Sequence, residues 1–112
     1  MGSPSRQKGQ RGEREAAAVL TSLGLPAMRA GYSGHSVEDI RHDIAAVHVE
    51  VKHQARPSIR QAMIQAEADA PTHRPMVLSR TVVAGGAREP WLMTIRLEDL
   101  WHVVDSIQAA RQ

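Results

Sequence analysis

The sequence predicts an α/β fold, a small mixed central β-sheet flanked by helices, and three observations carry that expectation. Segments with apolar residues at helical spacing alternate with short segments of period two. Gly and Pro punctuate the joins between them. A chain of 112 residues with 42% hydrophobic content is sized for one core.

The elements follow in order. RGEREAAAVLTSLGL predicts a helix from about residue 12 to 23, with Ala16, Val19, Leu20 and Leu23 on one face and Gly24 and Pro26 as its stop. Residues 27–30 suit a short strand that leads into the turn-forming GYSGHS. VEDIRHDIAAVHVEVKH reads as two strands, residues 37–45 and 47–53, joined by a tight turn at Ala45 and Ala46. Ser58 or a neighbour caps a second helix whose apolar positions are Ile59, Ala62, Met63, Ala66 and Ala70, and Pro71 ends it. Residues 76–80 form an apolar strand and VVAGGAREP a turn-rich connection, so the pair Gly85-Gly86 is a turn rather than a phosphate loop. WLMTIRL is a further strand. A closing helix from Glu98 to Ala110 presents Leu100, Val103, Val104 and Ile107, with Trp101 close by. The predicted order is α-β-β-β-α-β-β-α.

Composition excludes several function classes. Without cysteine there is no thiolate metal site, thiol catalysis or disulfide. No apolar run approaches membrane-spanning length, and the polar N-terminus lacks the apolar segment of a signal peptide, so a soluble cytoplasmic protein is expected. Six histidines show no zinc-site spacing. The net charge of +2 is modest, but Arg6, Lys8, Arg11 and Arg14 face only Glu13 in the first 14 residues. Residues 1–11 are therefore expected as a basic, flexible arm and 12–112 as a single domain. The arm reads equally as a phosphate-contacting segment or as a solvated terminus. With only Trp91, Trp101 and Tyr32 as aromatics, the core must be aliphatic, and both tryptophans suit a core or an interface better than base stacking.

The stretch VHVEVKH, residues 47–53, poses the functional question. Its valines alternate with His48, Glu50 and Lys52, so the polar trio shares one face of a strand. The chain uses twelve arginines and only two lysines, and one of those lysines is Lys52. Lysine brings a compact point charge where arginine brings a fixed planar fork. As a surface pair, Glu50 and Lys52 would matter little. Beside a further carboxylate they begin a hard-cation site, because Mg²⁺ takes one or two carboxylates together with water and substrate phosphate. Asp39 stands at the start of the preceding strand, and Glu13 in the first turn of the predicted first helix. Asp39 leaves ten residues before Glu50, enough for two strands and a turn, whereas the competing Asp43 leaves six. Glu38 and Asp43 are then expected at the surface, with Glu38 alone close enough to touch a metal.

RGERE, GYSG, VEDI, HVEVKH, a helix with QAMIQAEADA, a short strand and REPWLMTIRLEDL arrive in an order that carries a resemblance through nearly the whole chain. The chain resembles the PD-(D/E)xK nuclease superfamily, and within it the small Holliday junction resolvases of archaea and phages. The match looks closest to the phage type. The resemblance implies a restriction-endonuclease-like fold, a homodimer, a four-way DNA junction as substrate and Mg²⁺ or Mn²⁺ as cofactor, with no organic cofactor and no membrane partner. It further implies catalytic roles for Glu13, Ser33, Asp39, Glu50 and Lys52, with Asp39, Glu50, Glu13 and the carbonyl of Val51 holding the metal. Here Glu38 stands before the aspartate where the family pattern has Pro.

Arg11, Arg14, Arg29, His53, Arg56 and Arg60 are the residues expected to contact DNA phosphates, which supply affinity and register but no base readout. His48 flanks the motif as His53 does. Gln61 and Gln65 lie on the second helix, which in the superfamily packs beside the site. A dimer surface is expected to use Met63, Leu92 and Met93. A general nicking, repair or restriction nuclease would use the same residues. A silent DNA-binding module or a protein-interaction domain is the alternative from another class.

Overall fold

The computed structural model describes the backbone of residues 4–31 and 38–112, with side chains from residue 9 onward. Helix α1 (Pro4–Ser22) precedes strands β1 (Ala27–Arg29), β2 (Ile40–His42) and β3 (Val47–Gln54). Helix α2 (Ile59–Asp69), strands β4 (Arg74–Thr81) and β5 (Leu92–Ile95), a 3-10 turn (Leu97–Asp99) and helix α3 (Leu100–Ala110) follow. The class is mixed α/β, in the element order that the periodicity predicts. Hydrogen bonds divide the strands into two small sheets. One is the antiparallel pair β1–β2; the other is β3–β4–β5, parallel between β3 and β4 and antiparallel between β4 and β5.

Helix α1 starts at Pro4 rather than near residue 12. A proline in the first turn suits a helix, because its φ is already helical and its missing N–H would be unpaired there anyway. The far end matches expectation. Gly24 adopts φ +88°, its N–H donates to the Thr21 carbonyl at 3.0 Å, and the Leu25 N–H donates to the Leu20 carbonyl at 2.9 Å. This paired termination needs a left-handed residue just past the helix. The Gln112 N–H then donates to the Gly24 carbonyl at 2.7 Å, which fastens the C-terminus to this corner.

The core lies between α1, α3 and one face of the β3–β4 pair. Ala16, Ala17 and Leu20 meet Val47 and Val49 of β3, Met76 and Leu78 of β4, and Val103 of α3. Leu100, expected on the apolar face of α3, is instead exposed together with Trp101. Because side chains alternate along a strand, His48, Glu50 and Lys52 emerge on the opposite face. Helix α2 crosses on that side as the connection between parallel β3 and β4. The Ser58 hydroxyl accepts the Gln61 N–H at 3.4 Å as its cap, and the fully buried Ala62 and Ala66 seat it on the sheet. Small residues allow that close approach. Among the described residues no helix is long and apolar enough to cross a membrane.

Candidate active site at the edge of the sheet

The site begins where β2 stops short. Strand β2 was expected over 37–45 and is paired only over Ile40–His42. The Asp39 N–H still donates to the Val49 carbonyl at 3.4 Å. Beyond that, side chains take over from the ladder. Glu38 Oε2 accepts the Val49 N–H at 2.8 Å, and Asp39 Oδ2 accepts the Val51 N–H at 2.7 Å. The N–H and C=O of one strand residue point to the same edge. The Val51 carbonyl therefore opens toward Asp39 as well.

Glu50 is 3% exposed, and so is His48, whose Nε2 lies 3.1 Å from Glu50 Oε1. Burial first, and then the Asp39 carboxylate, push the Glu50 carboxyl up to about 8. Near neutral pH Glu50 thus holds a proton and donates it to Asp39. Burial also raises Asp39, against the opposing hydrogen bonds from Val51 and Glu50 and the charge of Lys52. Lys52 favours the charged form of both acids. Paired carboxyls sharing a proton are what like charges become when burial denies them water.

Helix α1 brings Glu13 to the same place from the other side of the seam. Its carboxyl is raised by burial and by the Asp39 charge, and Arg29 of β1 partly offsets this through a 3.1 Å ion pair. Glu13, Asp39, Glu50 and Lys52 are therefore near neighbours, drawn from α1, the entry to β2, and β3. Three acids with raised carboxyls, Asp39 acting on both of the others and a lysine beside Asp39 and Glu50, fit a hard divalent cation. Such an ion takes oxygen ligands and would relieve the repulsion.

The remaining expected residues divide. Arg11, Arg14, Arg56 and Arg60 are exposed, while Arg29 is committed to Glu13. His53 does not join the group. It is buried on the α1 face, 5.6 Å from Trp91 in a stacked pair and 3.0 Å from Arg80 Nη2, because its odd position in the strand turns it away from Lys52. Ser33 lies outside the described residues. Asp43 is exposed, as expected, but Glu38 is not a surface residue. It is half-buried between His42 and the Val49 N–H, which hold its carboxyl below the usual range although burial opposes this. Gln61 and Gln65 are exposed on α2.

Two residues escaped the sequence reading as a pair. His48, Glu50 and Asp69 each offer a ligand atom, and these atoms lie within 4.8 Å of one another. His48 was legible, since it sits two residues before Glu50 on one strand. Asp69 was not. It is the last residue of α2, and nothing local says that the helix ends over His48.

No family model, no curated protein and no solved structure matches this chain.

Proposed function

We propose that this protein is a metal-dependent, structure-selective DNA endonuclease that resolves four-way junctions in the cytoplasm of a prokaryotic or phage-infected cell. The observation that carries the reading is the meeting of Glu13, Asp39 and Glu50 with Lys52 at the edge of β3. Asp39, Glu50, Glu13 and the Val51 carbonyl would hold Mg²⁺ or Mn²⁺. When bound, the ion would offset the charge of a phosphodiester and make a water easier to deprotonate. The chain's own contribution is placement. The Val51 N–H fixes the Asp39 carboxylate, and Arg29 keeps Glu13 beside it. The Lys52 ammonium, on the same face as Glu50, orients the attacking water and stabilises the negative charge that develops on phosphorus. Water would attack phosphorus and give up a proton to solvent while the P–O3′ bond breaks and the 3′ oxygen takes a proton from solvent, which leaves a 5′-phosphate and a 3′-hydroxyl.

Junction choice rests on the resemblance of the motif order and on symmetry. Two symmetric nicks call for two identical sites about a two-fold axis, hence a homodimer. Leu92 and Met93 of the edge strand β5 are 60% and 51% exposed and lie beside Leu23 of α1 in an apolar groove, a suitable surface for a second copy.

The test is cleavage of a labelled immobile four-way junction, with Mg²⁺ and with EDTA, against a linear duplex of matched sequence. The expected result is symmetric, metal-dependent cutting of the junction alone. Lys52→Ala should bind the junction and lose cleavage on the order of a hundredfold or more. Equal cutting of the duplex would leave a general nuclease. Junction binding without any cutting would leave a DNA-binding module.

A further inference from the structure

We propose that His48, Glu50 and Asp69 form a second divalent-cation site on the α2 face of the sheet, suited to Mn²⁺ or another imidazole-binding metal rather than to Mg²⁺. His48 and Glu50 are consecutive residues on one face of β3, and both are buried. Asp69 closes the group from the C-terminal end of α2, with one ligand atom from each within 4.8 Å of the others. Donors around one small divalent ion lie about 3–4.4 Å apart, so a slight adjustment of the exposed Asp69 side chain would bring all three donors within reach of one ion.

The present partners of these groups point the same way. Among the described residues the Asp69 side chain makes no hydrogen bond and no ion pair. The one side chain among the described residues within hydrogen-bond distance of the His48 ring is Glu50. The carboxyl groups of Asp69 and Glu50 lie in one small group with the His48 imidazole, and a bound cation would offset the repulsion between their charges. Water reaches the group through Asp69, which leaves coordination positions open. The donor set decides the metal. One imidazole with two carboxylates suits first-row transition ions, Mn²⁺ and Fe²⁺ among them, while Mg²⁺ prefers oxygen alone and keeps most of its water.

Glu50 belongs to both groups, since it faces Asp39 as well as His48 and Asp69. It would therefore bridge two ions, although that shared role rests on the nuclease reading; the site of His48 and Asp69 does not.

Mn²⁺ binding followed by electron paramagnetic resonance separates the two. The full chain is expected to take two equivalents. Asp69→Asn, at an exposed position that leaves folding intact, should weaken one of them about tenfold or more. His48→Gln should do the same and abolish the nitrogen coupling of that ion in pulsed spectra. Asp39→Asn should retain the nitrogen-coupled ion and lose the other. A single equivalent without nitrogen coupling, lost in Asp39→Asn and untouched in Asp69→Asn, would overturn the second site and leave the first standing. A nitrogen-coupled ion that persists in Asp39→Asn as the only one would uphold the second site while removing the metal from the nuclease reading. No binding at all would overturn both.

Discussion

Asp39 Oδ2 accepts the backbone N–H of Val51 at 2.7 Å, and Val51 is the residue that separates Glu50 from Lys52. One hydrogen bond thus sets the distance between the candidate ligands and the candidate catalytic lysine. The carboxylate is held by backbone, so its place does not depend on a flexible partner.

The shared proton makes stability depend on pH in a definite direction. The Glu50 carboxyl sits at about 8 when folded, above its ordinary 4.5, so the folded state binds that proton more tightly. The resulting stability is complete below the unfolded value and is lost as pH rises through about 8. In EDTA, urea unfolding from pH 5 to pH 9 should show a decline of about 4 kcal/mol from this group. Glu50→Gln keeps an acceptor for His48 and supplies an N–H to Asp39 without a charge. It should flatten the decline, and an equally steep one in that variant would place the titrating group elsewhere.

Phosphate contacts are expected from Arg56 and Arg60, which are exposed just past β3. Replacing either with Gln should weaken junction binding equally for all sequences and lower the slope of log K against log salt by about 0.9. His53→Ala should leave that slope alone and reduce stability instead, because His53 is packed against Trp91 and Arg80. Fluorescence anisotropy across a salt series reads both. A lower slope in His53→Ala would return that histidine to the DNA surface.

The same histidine sets a steric limit on α1. A Cβ at Gly12 would lie 2.3 Å from His53 Cβ, which is already wedged by its own neighbours. Gly12→Ala gains helix propensity at a position where propensity cannot decide. It is expected to cost about 2 kcal/mol by overpacking, measured as a lower urea midpoint at unchanged m-value. A neutral or stabilising result would mean that β3 and α1 can separate at that point.

Much of the fold was readable because its signals are local. Gly24 ends α1, Ser58 opens α2, Pro71 closes it, and Ala45–Ala46 turns the chain, with Ala46 in the left-handed region at φ 58°. The early start of α1 was less readable, since SRQKGQ offers polarity without an apolar stripe. The short β2 was hidden for another reason: period two marks a strand whether backbone or side chains satisfy its neighbour. The alternation in VHVEVKH put Glu50, Lys52 and His48 on one face correctly in principle, and the same rule excludes His53 from that face. The nearness of Asp69, and the Glu13–Arg29 pair, depend on how helices return across the sheet. No spacing rule carries that information.

The carboxylates that close the gap between β2 and β3 give the acidic motif a mechanical duty beside its proposed chemical one. The β1–β2 pair behaves as a tab buttoned to the main sheet by Glu38 and Asp39. Stripping a button off loosens the tab. A dead variant made as Asp39→Ala would therefore report on a frayed margin as much as on a missing ligand, whereas Asp39→Asn keeps a carbonyl for the Val51 N–H. The same attachment ties inheritance of the fold to inheritance of the site. A lineage without need of the proposed chemistry would still be held to an acceptor at position 39, which Asp or Asn can supply.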